Sequence, residues 1–67
     1  MNLEEAASRQ LKAEFPLLFD ETRPVSVRCV GIQRAEELLD RDNKTDAQAI
    51  AEMKRQLSVL RASLSCS

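Results

Sequence analysis

Apolar residues near the N-terminus recur with the period of an α-helix. Five of them follow one another at intervals of four, four, four and three positions: Leu3, Ala7, Leu11, Phe15 and Leu18. This spacing places them along one side of a helix. Asn2 is a good N-cap residue, and Glu5 stands three positions later, as in a capping box. Pro16 disfavours helical geometry at the residue before it. The pattern predicts a first helix over 2–15, followed by a short turn that Pro16 opens.

The period changes in the middle of the chain. Val25, Val27 and Cys29 alternate with polar residues, and a period of two is typical of a half-buried strand. The chain offers no partner strand, so 24–30 is interpreted either as a short strand that pairs with another chain or as an extended linker. Helical spacing resumes after Gly31 and predicts a second helix over 32–42. Its apolar residues are Ile32, Ala35, Leu38 and Leu39.

The third apolar pattern is the most regular of the chain. Intervals of three, four, three and four positions separate Ile50, Met53, Leu57, Leu60 and Leu64. Asn43 suits the C-cap of the second helix, and Thr45 with Gln48 forms a capping box for a third. We therefore expect a helix over 46–64. Two heptads rarely form an autonomous coiled coil, so this helix is expected to face the core of a small bundle.

Together the patterns predict a mainly α fold. A single small domain over 1–67 would contain a helical hairpin and an N-terminal helix, with one possible short strand at 25–30. A chain of 67 residues buries only about 60 % of its unfolded surface, so oligomerisation or a partner is expected to stabilise it. Two Cys and no His argue against a disulfide framework or a zinc site. Cys29 is interpreted as a buried thiol and Cys66 as part of a frayed tail.

The composition disfavours catalysis. The chain lacks His, the usual general acid and base near neutral pH, and a single Gly cannot build a phosphate-binding loop. The acidic residues Glu36, Glu37, Asp40 and Asp42 are interpreted as a solvated helix face. We expect no enzyme, no catalytic residue, no metal site, no cofactor and no small-molecule substrate. With no apolar run long enough for a bilayer and an acidic N-terminus, a cytoplasmic location away from membranes is expected.

Binding is the function that the sequence favours. A small Leu-rich helical domain suits a protein-interaction module that acts stoichiometrically as an adaptor, inhibitor or regulator. Its partner would be another protein or a second copy of the chain, with a homodimer expected. The candidate partner-binding residues are Leu11, Phe15, Leu18, Ile50, Met53, Leu57, Leu60 and Leu64.

Nucleic-acid binding is the alternative. Its candidate phosphate contacts are Arg23, Arg28, Arg34, Lys54, Arg55 and Arg61. The balance of ten Lys and Arg against eleven Asp and Glu, with a net charge of −1, argues against a general polyanion-coating role. Any such contact would therefore depend on local basic surface.

Two resemblances bear on this alternative. The predicted order of strand, helix, turn and helix from Val25 to Leu64, with Arg28 on the outward side of the strand, resembles the ribbon-helix-helix architecture. That resemblance implies a dimer whose paired strands read the DNA major groove. Separately, Leu11, Phe15-Pro16, Phe19 and Arg23-Pro24 through Gly31-Ile32 are similar to the opening of the ProQ/FinO RNA-chaperone domain, which implies RNA binding.

Overall fold

The fold consists of three α-helices and one short 3₁₀ helix. A computed structural model describes residues 2–41 and 47–66. Within these residues, α1 spans Leu3–Glu14, the 3₁₀ helix Pro16–Phe19, α2 Val25–Arg41 and α3 Ala47–Ser63. The mainly α, three-helix class is confirmed. For the first and the third predicted helix, both the first and the last residue lie within one position of those observed. Two predicted caps, Asn43 and Thr45, lie outside the described residues.

The start and end of α1 follow the local sequence signals. Asn2 caps the helix, because its side-chain oxygen accepts a hydrogen bond of 2.8 Å from the backbone N–H of Glu5. At the other end, Phe15 leaves the helical region, although its N–H still donates to the carbonyl of Leu11 at 2.7 Å. Pro16 then opens the 3₁₀ helix. The chain therefore turns where Pro16 predicts.

The prediction of an extended segment over 24–30 is wrong. α2 begins at Val25 and includes Gly31 in its interior, so the second helix starts seven residues before the predicted 32. The carbonyl of Pro24 accepts the N–H groups of Val27 and Arg28, at 3.1 and 3.2 Å, and so begins the helical ladder. In the helix, Cys29 and Ile32 are three positions apart and lie on the same side of α2. The packing of this side of α2 outweighs the weak preference of valine for strands.

The 3₁₀ helix docks on α2 where Gly31 leaves room. A Cβ atom at Gly31 would lie 2.6 Å from Cδ2 of Leu18, which is fully buried. One turn earlier on α2, the Nε of Arg28 donates a hydrogen bond of 2.9 Å to the carbonyl of Leu18. The space left by Gly31 and the hydrogen bond from Arg28 therefore both position Leu18 of the 3₁₀ helix. Arg28, a candidate phosphate ligand, instead has this structural contact.

α3 is the helix that contacts both of the other α-helices. It packs against both α1 and α2, whereas α1 and α2 do not pack directly on each other and are bridged by the 3₁₀ helix. The core contains no buried polar side chain within the described part of the chain. Its buried residues are Ala7, Leu11, Leu18, Ile32, Ala35, Leu39, Ile50, Met53 and Leu57.

α2 and α3 form an antiparallel hairpin that charged side chains close on its outer edge. Lys54 pairs with Asp40, and Arg61 pairs with a partly exposed Glu36. Lys54 comes earlier in α3 and Asp40 later in α2, so the two pairs follow the antiparallel run of the helices. The acidic residues Glu36 and Asp40, interpreted from the sequence as a solvated face, serve here as the counter-charges of α3.

A disulfide bond continues this edge, contrary to expectation. Cys29 and Cys66, which are 37 positions apart, are joined, so the predictions of a free buried thiol and of a frayed tail are wrong. Ser65 adopts a left-handed conformation with φ of 57°, and the N–H of Cys66 donates to the carbonyl of Arg61 at 3.1 Å. These are features of a Schellman turn. The turn folds the chain back after α3 and brings Cys66 to the first turns of α2.

The disulfide is expected to contribute strongly to stability. Closing a loop of this length removes denatured-state entropy equivalent to about 4 kcal/mol in the chain-entropy account. We expect reduction, or the double variant Cys29→Ala with Cys66→Ala, to lower the free energy of unfolding by about 3 kcal/mol. Urea denaturation followed by circular dichroism measures this change. An unchanged midpoint on reduction would show that the cross-link does not constrain the chain.

The contact between Leu18 and Gly31 predicts a change of sign between two backgrounds. In the natural chain, Gly31→Ala should destabilise by about 1 kcal/mol, because crowding of Leu18 exceeds the gain in helix propensity. In a Leu18→Ala background the same change should stabilise by about 1 kcal/mol, because only the propensity gain remains. Chemical denaturation of the four proteins measures both effects. Equal stabilisation in the two backgrounds would contradict the proposed crowding.

Candidate protein-binding surface

The residues predicted to bind a partner lie within the fold. Leu11, Leu18, Ile50, Met53 and Leu57 are core residues, and Phe15, Leu60 and Leu64 are partly buried against that core. The regular spacing in the third helix therefore corresponds to intramolecular packing. A partner would have to open the core to contact most of these side chains.

The residues predicted to bind nucleic acid are mostly occupied within the chain. Four of them pair with carboxylates: Arg23 with Asp20, Lys54 with Asp40, Arg55 with Glu52, and Arg61 with Glu36. Arg28 donates to the carbonyl of Leu18. Arg34 is the exception, because its side chain has no ion pair or hydrogen bond among residues 2–41 and 47–66.

The helical structure of residues 25–30 also bears on the ribbon-helix-helix resemblance. That architecture requires a strand from each chain to pair across a dimer. α2 already begins at Val25, so its backbone groups form helical hydrogen bonds. The segment that would provide the strand is therefore not available for strand pairing in this fold.

A second apolar stripe runs along the side of α2 that faces away from the core. Val27, Val30 and Leu38 are 47 %, 64 % and 45 % exposed. They follow the spacing i, i+3 and i+11, and Arg34 at i+7 completes the row. We call Val27, Val30, Arg34 and Leu38 the α2 stripe. α2 is thus apolar on two sides, and only the side with Ile32, Ala35 and Leu39 is covered by the fold.

A shallow depression interrupts the α2 stripe near its centre. It has a volume of about 200 Å³ and is lined by Val30, Gln33, Arg34 and Glu37. These residues stand at i, i+3, i+4 and i+7, the four positions that form the hole for a knob in coiled-coil packing. The depression therefore has the residue spacing of such a hole.

At its C-terminal end the α2 stripe reaches a groove between α1 and α2. Leu38 lines this groove together with Phe15, Leu39 and Met53, and Gln10 and Glu14 form its polar rim. Its volume is about 360 Å³. The apolar surface thus extends from the outer side of α2 to the edge of the core.

Another groove lies between α1 and α3, around the exposed Val59, and its rim is already bonded internally. Its volume is about 370 Å³. The side-chain amide of Gln56 donates to the backbone carbonyl of Glu4 and to the carboxylate of Glu52, both at 2.9 Å. Arg55 also binds Glu52, at 2.6 Å. The polar groups of this rim stabilise the α1–α3 contact, in contrast to the unpaired Arg34.

Hydrogen bonds at this rim change two pKa values. The Arg55 side chain and then the Gln56 amide stabilise the Glu52 carboxylate, which lowers its pKa from 4.5 to about 2. The same carboxylate raises the pKa of Arg55. After the 3₁₀ helix, hydrogen bonds from the hydroxyl and N–H of Thr22 lower the pKa of Asp20. Each of these pKa shifts is caused by hydrogen bonds or ion pairs that stabilise local structure.

A period of two over 24–30 hides the α2 stripe in the sequence. With that assignment Val25, Val27 and Cys29 share one side and Val30 ends the segment. A continuous helix from Val25 places Val27, Val30 and Leu38 in one row instead. The spacing of these three residues is the signal that could have revealed the surface, once Pro24 is taken as the start of a helix.

The described residues form neither a metal-binding cluster nor a membrane-spanning helix. No group of three or more acidic, Cys or His side chains there is arranged to hold a metal ion. None of the described helices is long and apolar enough to cross a membrane. No protein-family model matches the chain, and no curated protein or solved structure is significantly similar to it.

The low pKa of Glu52 predicts acid-sensitive stability. A carboxylate whose pKa is lower in the folded than in the unfolded state stabilises the fold at neutral pH, and this contribution is lost as the pH falls through the folded value. We expect the free energy of unfolding to decrease between about pH 5 and pH 2. The Glu52→Gln variant should show a smaller decrease, because the contribution of the Glu52 carboxylate is then absent while that of Asp20 remains. Identical slopes for the two proteins in urea denaturation would contradict this role of Glu52.

Proposed function

We propose that the protein is a non-enzymatic interaction module that binds another protein through the α2 stripe. The observation that carries this proposal is the second apolar side of α2, which is exposed although the core is complete without it. A row of three half-exposed aliphatic residues on one helix is a typical docking surface for a partner helix or groove. Binding of this kind is stoichiometric and acts by covering a surface, as in an adaptor, an inhibitor or a regulator.

The charges of the described residues support a protein partner over a nucleic acid. The ion pairs of Lys54 and Arg61 join α3 to α2, and the pair of Arg55 with Glu4 joins α3 to α1, so phosphates would have to displace these carboxylates. Arg34 stands among aliphatic side chains, and a single cation in an apolar row is typical of protein interfaces.

Site-specific photo-crosslinking tests the proposal. The chain would carry a benzophenone amino acid at position 30 and be expressed in its source cells. We expect a discrete adduct from position 30 and none from Ala13, an exposed position on α1. Adding Leu38→Asp should abolish the adduct, because a charge at the end of the α2 stripe opposes apolar contact. Circular dichroism of the same variant should remain helical, because Leu38 is 45 % exposed.

The mass of the adduct identifies the kind of partner. An adduct at twice the chain mass of 7.5 kDa would be a second copy, and any other mass a different protein. Equal adducts from positions 13 and 30, or an adduct that survives Leu38→Asp, would contradict binding through the α2 stripe.

A further inference from the structure

We infer that the segment which contacts the α2 stripe is an acidic amphipathic helix, with carboxylates placed to pair with Arg34 and Arg41. This inference rests on the proposed function and specifies the chemistry of its partner. It depends on the shape of the stripe, on the backbone chemistry of α2 and on the charges that the fold leaves unpaired.

The shape of the surface favours a helix. The depression formed by Val30, Gln33, Arg34 and Glu37 has the arrangement of a knob-accepting hole. From Val27 to Leu38 the stripe covers three turns, or about 16 Å at the rise of an α-helix. A partner helix of about three turns would lie along it and insert one aliphatic side chain into the hole.

The backbone of α2 disfavours an extended segment. A peptide that binds as a strand gains affinity from free N–H and C=O groups at a sheet edge. The backbone groups in the interior of α2 are used by the helix itself, so an added strand would find no partners there. A helix satisfies its own backbone groups and needs only side-chain contacts.

The charges favour acidic side chains on that helix. Arg34 and Arg41 are exposed, stand seven residues apart, and follow Val27 along one row of α2. Neither side chain has a carboxylate partner among the described residues. Among the described residues of α2, Glu36 and Asp40 are ion-paired with α3, and Glu37 is the one acid without an ion pair, so the two arginines outnumber the free carboxylates there. Carboxylates one heptad apart on the partner would meet both arginines.

The same cations disfavour a second copy of α2 as the occupant. An antiparallel pair of α2 helices centred on the hole would place the Arg34 side chains of the two copies together. Like charges in a partly desolvated contact oppose association. The α2 stripe is therefore better suited to a different, acidic helix.

Three peptides test this chemistry. Each would be a stapled two-heptad helix with Leu at the a and d positions, and the flanking e and g positions would be Glu, Gln or Lys. We expect the Glu peptide to bind the oxidised full-length chain about tenfold more tightly than the Gln peptide at low salt, and the Lys peptide to bind most weakly. Calorimetry measures the affinities. Amide chemical shifts should change at Val27, Val30 and Leu38.

Charge reversal on the protein provides the decisive comparison. The double variant Arg34→Glu with Arg41→Glu should exchange the order and prefer the Lys peptide. Arg9→Glu, which changes an exposed arginine on α1, is the matched control and should leave the order unchanged. Val30→Asp should weaken all three peptides while the circular dichroism spectrum stays helical.

Each remaining outcome would overturn the inference, and the outcomes differ in what else they affect. Equal binding of the three peptides at the α2 stripe would refute the acidic chemistry and leave the proposed function standing. Shifts confined to the groove around Val59 would show that helices bind elsewhere. Self-association of the chain through the α2 stripe would identify a second copy as the occupant. If none of the three peptides binds while position 30 still crosslinks, the acidic helical partner is refuted and the proposed function stands.

Discussion

The close approach of Leu18 to Gly31 is the contact on which the arrangement of the helices depends. α1 and α2 do not pack on each other, so the 3₁₀ helix carries the connection between them. It docks on α2 in the space left by Gly31, and Arg28 donates a hydrogen bond to the Leu18 carbonyl. With the 3₁₀ helix fixed there, α3 can fill the space that α1 and α2 leave open. A residue with poor helix propensity is thus retained inside a helix for packing.

The basic side chains of α3 have a structural role in this small fold. The cations of α3 neutralise acids on α1 and α2 and so add ion pairs to both of the helix contacts that α3 makes. Exposed pairs of this kind contribute little individually, but they leave few basic groups free. Arg34 therefore differs from most basic residues of the chain through its environment rather than through its position in the sequence. The unpaired charge and the unpaired apolar residues occur on the same side of α2.

The sequence predicts the parts of the fold whose signals are local. Asn2, Pro16 and the spacing of Ile50, Met53 and Leu57 define α1 and α3, because caps, a proline and a helical period act within a few residues. Residues 24–30 were assigned incorrectly, since their alternation is compatible with a strand until the packing of Ile32 and Gly31 is known. The disulfide and the α2 stripe follow from that same correction, because both depend on the first turns of α2. The candidate site can therefore be predicted from the sequence only when the second helix is taken to begin at Val25.

The position of the disulfide divides the chain into a closed and an open part. Cys29 and Cys66 enclose most of α2 and all of α3 in one covalent ring, and α1 lies outside it. Separation of α1 from α3 would leave the hairpin cross-linked, so we expect the two parts to resist local unfolding unequally. Such an opening would uncover Met53 and Leu57 without disturbing the outer side of α2. The disulfide-closed ring thus stabilises α2, the proposed binding helix, whether or not the N-terminal third of the chain is packed against it.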